Sequence, residues 1–233
     1  QGDSAKAPYY KENMTGIQKP HLAFGPAYTS GGGANAYLGG SLATSINGSP
    51  SITVLVVGKS AGTTAGRLVH FGAATGAAGQ VMSLAQDSSF DYNNGKLAFA
   101  GNFSGGVTVG AFRRNNPATH AAGDFFRNGT SISGSATNGS NTLNIPAGGS
   151  REALLGAGRG TNGALGNYFN GAILEVLVFD QALDNWNIRR LEGYLAHKWS
   201  SESSLPSGHA FRNNPPSFGG SQNIVADANT TIG

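Results

Sequence analysis

The chain of 233 residues has no cysteine, and charged side chains make up only 12% of it. Without cysteine there are no disulfide staples, no thiolate metal sites and no thiol catalysis. No apolar run approaches the roughly 20 residues that a membrane-spanning helix needs. Basic clusters are also missing. Nothing exceeds the pairs Arg113–Arg114 and Arg189–Arg190, which argues against a nucleic-acid partner. The net charge of +3 leaves a slight preference for anionic partners such as acidic polysaccharide. No repeat with a period of about 20–50 residues is visible, which disfavours solenoids and propellers.

What is abundant is glycine, at 37 residues, together with Ser, Thr and Asn. That composition belongs to many short strands joined by tight turns. Strands are expected near 21–24, 36–38, 52–58, 67–71, 80–85, 96–101, 107–112, 124–127, 130–133, 152–155 and 172–179. Asn94–Gly95 and Asn128–Gly129 read as two-residue hairpin turns, since both residue types tolerate positive φ. Residues 1–19 are polar and aperiodic and read as a leader or linker. A domain over 20–216 follows, and 217–233 reads as a tail, linker or exchanged strand.

The stretch from Tyr168 to Trp199 changes period halfway. From Ala172 to Asp180 it is branched or aromatic at nearly every position, as in a strand covered on both faces. From Asn185 on, Ile188, Leu191, Leu195 and Trp199 recur at helical spacing, and Asp184 stands at the N-cap. The spacing predicts a helix over 185–199 with Trp199 on its packed stripe. Trp186 lies on the same helix. The fold expected is all-β, a two-sheet antiparallel jelly-roll sandwich closed by this one short C-terminal helix.

The same stretch reads F-x-G-x-I-x-E-V through Phe169, Gly171, Glu175 and Val176, then Asp180, Ala182 and Leu183. Arg189 through Trp199 follows, and Leu205, Pro206, Gly208, His209, Phe211, Pro215 and Pro216 complete the pattern. This resembles the concanavalin A-like, laminin G-like jelly-roll modules of bacterial secreted and surface proteins. The resemblance implies that fold, an extracellular location, and a glycan- or surface-binding role. It also implies calcium held by loop oxygens. The best donors in this chain are Asp87, Asp91 and Asn93, with a bare solvated loop as the competing reading.

Enzymatic motifs fail on context. GKSAG (58–62) matches a serine elbow, but glycine and β-formers follow where a helix is required. GRGTNG (158–163) matches a dinucleotide loop, but a strand follows rather than a helix. A retaining glycosidase needs two carboxyl groups about 5–5.5 Å apart. The acid pairs at suitable spacing are Asp87 with Asp91 and Asp180 with Asp184, and the latter two have turn and cap roles. The chain is read as non-catalytic.

Sugar recognition needs an aromatic platform beside amide and carboxylate groups. Phe90, Asp91, Tyr92, Asn93 and Asn94 form one such set on a predicted loop. Arg113, Arg114, Asn115, Asn116 and His120, with Asn162, Asn167 and Tyr168, form a second. Glu175, a carboxylate amid apolar neighbours, requires a partner; Arg67, Arg151 and Arg159 are the candidates. The function expected is an extracellular recognition or adhesion module that binds polysaccharide or a cell-surface glycan through rim loops. The alternative is a structural subunit of a filament, surface layer or virion decoration that joins copies of itself.

Overall fold

The structure, a computed structural model, describes residues 8–12, 17, 19–25, 35–62, 66–115, 119, 121 and 123–217. Asn116, His120 and most of the expected tail lie outside the described residues. Among the described residues the strands are, in chain order, β1 (Tyr9–Lys11), β2 (His21–Phe24), β3 (Leu38–Ser41), β4 (Ile52–Ser60), β5 (Arg67–Ala73), β6 (Val81–Ala85), β7 (Ser89–Asp91) and β8 (Lys96–Phe99). They continue as β9 (Thr108–Arg114), β10 (Asp124–Arg127), β11 (Thr130–Ile132), β12 (Gly134–Thr137), β13 (Arg151–Leu155), β14 (Gly158–Arg159), β15 (Leu165–Gly166) and β16 (Gly171–Phe179). Helix α1 covers Asn185–Lys198.

Two seven-stranded antiparallel sheets form the sandwich. The first runs β1-β2-β16-β4-β9-β10-β11 and the second β12-β8-β7-β6-β5-β13-β3, with β14 and β15 as a separate small hairpin. The chain is therefore an all-β sandwich with one C-terminal helix. Strand β1, inside the stretch read as a leader, pairs with β2 at the edge of the first sheet.

The apolar content of β4 explains its central position. Ile52, Val54 and Val56 point into the core shared with Phe71, Met82, Leu84 and Phe90 of the second sheet. The alternate residues Leu55 and Val57 point outward and join Ile188, Leu191, Leu195 and Ala196 of α1 in a second apolar cluster. Strand β16 is likewise covered on both faces: Ile173 and Val176 face the core, while Leu177 and Phe179 face the helix. A bulge between Ile173 and Glu175 adjusts its register.

Asp184 caps the helix, its Oδ1 accepting from the Asn187 amide at 2.7 Å. Trp199 is the C-cap, half-buried rather than fully enclosed, and its indole N–H donates to Glu175 Oε2 at 2.7 Å. Lys198 Nζ reaches the other oxygen, Oε1, at 2.9 Å. The expected arginine partners of Glu175 are thus replaced by the end of the helix, because the bulge turns Glu175 to the helix side. Lys198 has its pKa raised, first by that hydrogen bond.

The two turns differ. Asn128 and Gly129 both have positive φ, 47° and 77°, and join β10 to β11 as a two-residue hairpin. Gly129 is required twice over, since a Cβ there would stand 2.6 Å from His209 Cδ2. Its amide donates to Glu192 Oε1 of α1 at 2.9 Å, which ties the hairpin to the helix. Between β7 and β8 the turn is one residue earlier than Asn94–Gly95. Tyr92 N donates to Gly95 O at 3.0 Å, and Asn93 takes the positive φ of 62°.

Candidate functional site

Cross-strand pairing on the second sheet builds a row of residues that turns away from the core. His70 of β5 stands opposite Ser83 of β6, Ser83 opposite Asp91 of β7, and Asp91 opposite Lys96 of β8. On the other side His70 pairs with Leu154 of β13. A row of polar side chains across four strands of a sandwich needs partners or water, because each buried polar group left bare costs free energy.

Most of those groups have protein partners. Arg67 Nη2 donates to Asp91 Oδ2 at 2.5 Å. Asp91 Oδ1 accepts from the Asn93 amide at 2.8 Å. The positive φ of Asn93 aims its side-chain amide at the β14–β15 hairpin, where it donates to Arg159 O at 2.9 Å and to Gly76 O at 2.8 Å. Arg159 forks onto Glu152 of β13, Nε to Oε1 at 2.5 Å and Nη2 to Oε2 at 2.9 Å. Its pKa is raised, first by that hydrogen bond and further by the phenols of Tyr37 and Tyr168 nearby. Tyr37, Asp91, Asn93, Glu152, Arg159 and Tyr168 are all half-buried. Together the ion pairs and Asn93 form a face of donors and acceptors, with the phenols of Tyr37 and Tyr168 near Arg159.

His70 lies beneath this face and is fully buried. Its Nδ1 is 2.7 Å from Ser83 Oγ, while Nε2 has no hydrogen-bond partner among the described residues. Burial lowers its pKa to about 3, and the positive charges of Arg67 and Arg159 add to the effect. The ring is therefore neutral at physiological pH. The Ser83–His70 pair is not a hydrolytic dyad. An imidazole so depressed is a poor proton acceptor, no carboxylate among the described residues orients its other nitrogen, and Ser83 is itself buried.

Charge on this face cancels pairwise: Arg67 with Asp91, Arg159 with Glu152, and Lys96 with Asp87 at 3.0 Å. Such a surface suits hydroxyl groups, which both donate and accept, better than a strongly charged ion.

The sequence-expected residues divide between this face and elsewhere. Asp91, Asn93 and Tyr168 do gather here. Phe90 and Tyr92 do not: both are fully buried in the inter-sheet core, Phe90 stacked on Phe112. Alternation along β7 puts Asp91 outward and therefore Phe90 inward, so neither ring offers a sugar platform. Asn94 is half-buried, and its carbonyl accepts from the side chains of Asn138 and Asn141.

Arg113 and Arg114 sit on the other sheet. Arg113 joins Asp124 at 2.6 Å and α1 through Asn185 Oδ1 at 2.8 Å. Arg114 is fully buried and donates to Pro50 O at 3.0 Å and Ser49 Oγ at 2.9 Å. Both arginines hold the fold together. Ser60 of the GKSAG stretch ends β4 and donates to Gly62 O at 2.7 Å, and the next described element is strand β5. GRGTNG forms the β14–β15 hairpin.

The calcium donors do not fit the ion. Asp87 Oδ1 accepts from Ser89 and Oδ2 from Lys96. Asp91 is taken by Arg67 and Asn93. Burial pushes the Asp87 carboxyl up, but the hydrogen bonds from Ser89 and Lys96 win and hold it below its usual value. Ammonium and guanidinium groups occupy the positions a cation would need.

His70, Ser83, Glu152 and Tyr37 escaped the sequence reading, and Arg67 and Arg159 were named only as candidate partners of Glu175. The signal was there in one form: Arg67, His70 and Ser83 interrupt strands that are otherwise apolar.

No protein-family model matches the chain, and no curated protein is significantly similar to it. Among solved structures it is similar to domain 4 of AbnA, a GH43 extracellular arabinanase from Geobacillus stearothermophilus, in complex with arabinotriose. The identity is 16% and the TM-score 0.49, over 77% of this chain and 78% of that one. It is also similar to the CBM40 of an IT-sialidase from Ruminococcus gnavus bound to alpha2,3 sialyllactose, with 12% identity, TM-score 0.45, and 77% and 93% covered. A third likeness is to NanB sialidase from Streptococcus pneumoniae, with 14% identity and TM-score 0.42 over 65% of this chain. The match spans 26% of the NanB chain.

Proposed function

We propose that this domain is a non-catalytic, extracellular recognition module of the concanavalin A-like type, which binds a saccharide on the outer face of its second sheet. The observation that carries the reading is the convergence of Arg159–Glu152, Asp91 and Asn93 with the half-buried rings of Tyr37 and Tyr168. Carboxylates and guanidinium groups held rigid by one another present fixed acceptors and donors to sugar hydroxyls. The phenol rings offer apolar faces to the C–H side of a pyranose or furanose. Asp91, Glu152 and Arg159 sit on paired strands and are tied by ion pairs, so little of their side-chain entropy is lost when a ligand docks, while Asn93, Tyr37 and Tyr168 stand on the adjoining loops.

The pairwise cancellation of charge points to a neutral saccharide at this face. Binding to a panel of neutral and acidic glycans, followed by calorimetry on the best ligand, tests the reading. Tyr37→Ala and Tyr168→Ala are each expected to weaken binding by about tenfold, a loss of about 1.4 kcal/mol. Silence of the unaltered protein across the panel sinks the proposal. Release of reducing or unsaturated ends from the bound polysaccharide would overturn its non-catalytic part.

A further inference from the structure

A second surface, on the helix side of the sandwich, takes no part in the outer-face site. Large apolar residues exposed among the described residues are Tyr9, Tyr10, Val178 and Trp186; Trp186, on the first turn of α1, is 56% exposed. Trp186, Arg190, Gly193 and His197 recur at three- and four-residue spacing and so share one helix face. Glycine is a poor choice inside a helix, and Gly193 has a specific reason to be there. A Cβ at that position would lie 2.3 Å from Cβ of Phe211, so its absence lets Phe211 seat directly on the helix.

The segment that carries Phe211 is fastened on several sides. His197 Nε2 lies 2.9 Å from Phe211 O, Arg212 donates to Leu205 O, and Arg190 donates to Ser217 O at 3.4 Å. The Phe211 ring then braces the indole of Trp186, with centroids 5.4 Å apart and planes 51° apart. One side of Trp186 is supported and the rest stays open to solvent. The half-buried Asp184 at the N-cap is held by Asn187, and beyond it the charged side chains of α1 that are not fully buried are basic. Helix α1 carries Arg189, Arg190 and Lys198, and Glu192, its single acid, is fully buried. Lys198 is engaged with Glu175 on another side; the exposed Arg189 lies one turn from the indole, as does Arg190, which also donates to Ser217 O.

We propose that Trp186, braced by Phe211 and flanked by Arg189 and Arg190, is a second carbohydrate-binding site, selective for polysaccharides that carry uronate carboxylates. The indole takes the C–H face of one sugar ring. Arginines three and four positions along the helix lie about 5–6 Å away at Cβ, near enough for a guanidinium to take the carboxylate of that same ring. A lipid surface would call for a broad apolar belt, whereas here a single braced ring stands among charges.

The test is retention on polygalacturonate by affinity electrophoresis at low and at high salt, with dextran as the neutral comparison. The unaltered protein should bind polygalacturonate, more weakly at high salt. Trp186→Ala should weaken binding at least about tenfold, Arg189→Glu should do likewise, and Trp186→Phe should retain most of it. Tyr168→Ala, which alters only the outer face, should leave polygalacturonate binding unchanged, so the two sites fail separately. Circular dichroism establishes that the variants fold.

No binding by the unaltered protein, or equal binding by Trp186→Ala, overturns the proposal. Equal retention on dextran overturns the preference for acid sugars. Concentration-dependent dimerisation that Trp186→Ala abolishes, without polysaccharide binding, gives the surface to a second copy of the chain and also overturns it.

Discussion

On the first sheet, β4 and β9 turn Leu55, Val57, Val109 and Ala111 away from the inter-sheet core, and α1 lies over them. On the second sheet, the outward residues of β5, β6 and β7 include His70, Ser83 and Asp91, and ion pairs and a short hairpin lie over them instead. The inner faces of the two sheets are alike, rich in Phe, Leu and Val. The outer faces therefore decide what each side of the molecule can do. An apolar outer face needs a helix to remove it from water, and the cover forecloses binding through the strands beneath it. A polar outer face needs hydrogen-bond partners, and a saccharide can supply the same kind of partner as water.

The helix side should fail hardest when its packing is breached. Ile188 is fully buried against the outward residues of β4 and β9. Ile188→Ala is expected to cost about 2–5 kcal/mol, from lost burial and the cavity left behind. Urea unfolding measures it. A loss below about 1 kcal/mol would mean that α1 is an appendage rather than part of the cooperative unit, and the contrast between the two faces would weaken.

How legible this contrast was in the sequence can be argued residue by residue. Helix α1 was readable because cap, period and length agreed: Asp184, the three-and-four spacing from Ile188, and a stop at Trp199. Strands β2 and β10 fell where the sequence placed them, and β16 showed its two-sided cover as a nearly unbroken apolar run. Strand β3 was displaced, from 36–38 to 38–41, because Gly39 and Gly40 give no side-chain signal although their backbones pair with β13. Strands β7 and β12 were missed, one for being three residues long, the other for being exposed at every position.

The site was less legible than the fold. Its residues come from β5, β7, β13 and the β14–β15 hairpin, and only cross-strand register brings them together. Asp91 and Asn93 were visible as loop chemistry. The inward turn of Phe90 and Tyr92 depended on which face of β7 meets the core, and a single odd or even step reverses that choice.

A gentler way to sharpen the comparison uses His70 on the second sheet. Its folded-state pKa of about 3 lies below the ordinary value of 6.5. Between those values the unfolded chain binds a proton that the folded chain does not. Stability from this group is therefore complete above about pH 6.5 and falls as the pH drops towards 3, by up to about 1.4 kcal/mol per pH unit. His70→Asn removes that slope. At pH 7.5 the variant should be less stable by about 1–2 kcal/mol, from the weakened contact with Ser83. By pH 5 the gap should close or reverse. A gap independent of pH, measured by urea unfolding across that range, would show that His70 is not a buried neutral ring.

The smallest effect expected is at the seam between helix and strand. Trp199→Phe keeps a ring of similar shape but removes the N–H that donates to Glu175 Oε2. Glu175 keeps Lys198 on its other oxygen, and its side chain is 16% exposed, so water can reach part of what is lost. The cost should be about 1 kcal/mol, below the roughly 1.5–3 kcal/mol usual for a hydrogen bond to a charged group. Glu175→Gln in the same background separates the two contributions. If the indole bond acts independently of the ion pair, the two losses add. If Trp199 serves to hold Glu175 in place for Lys198, the double variant should lose less than the sum, and the shortfall is the coupling between them.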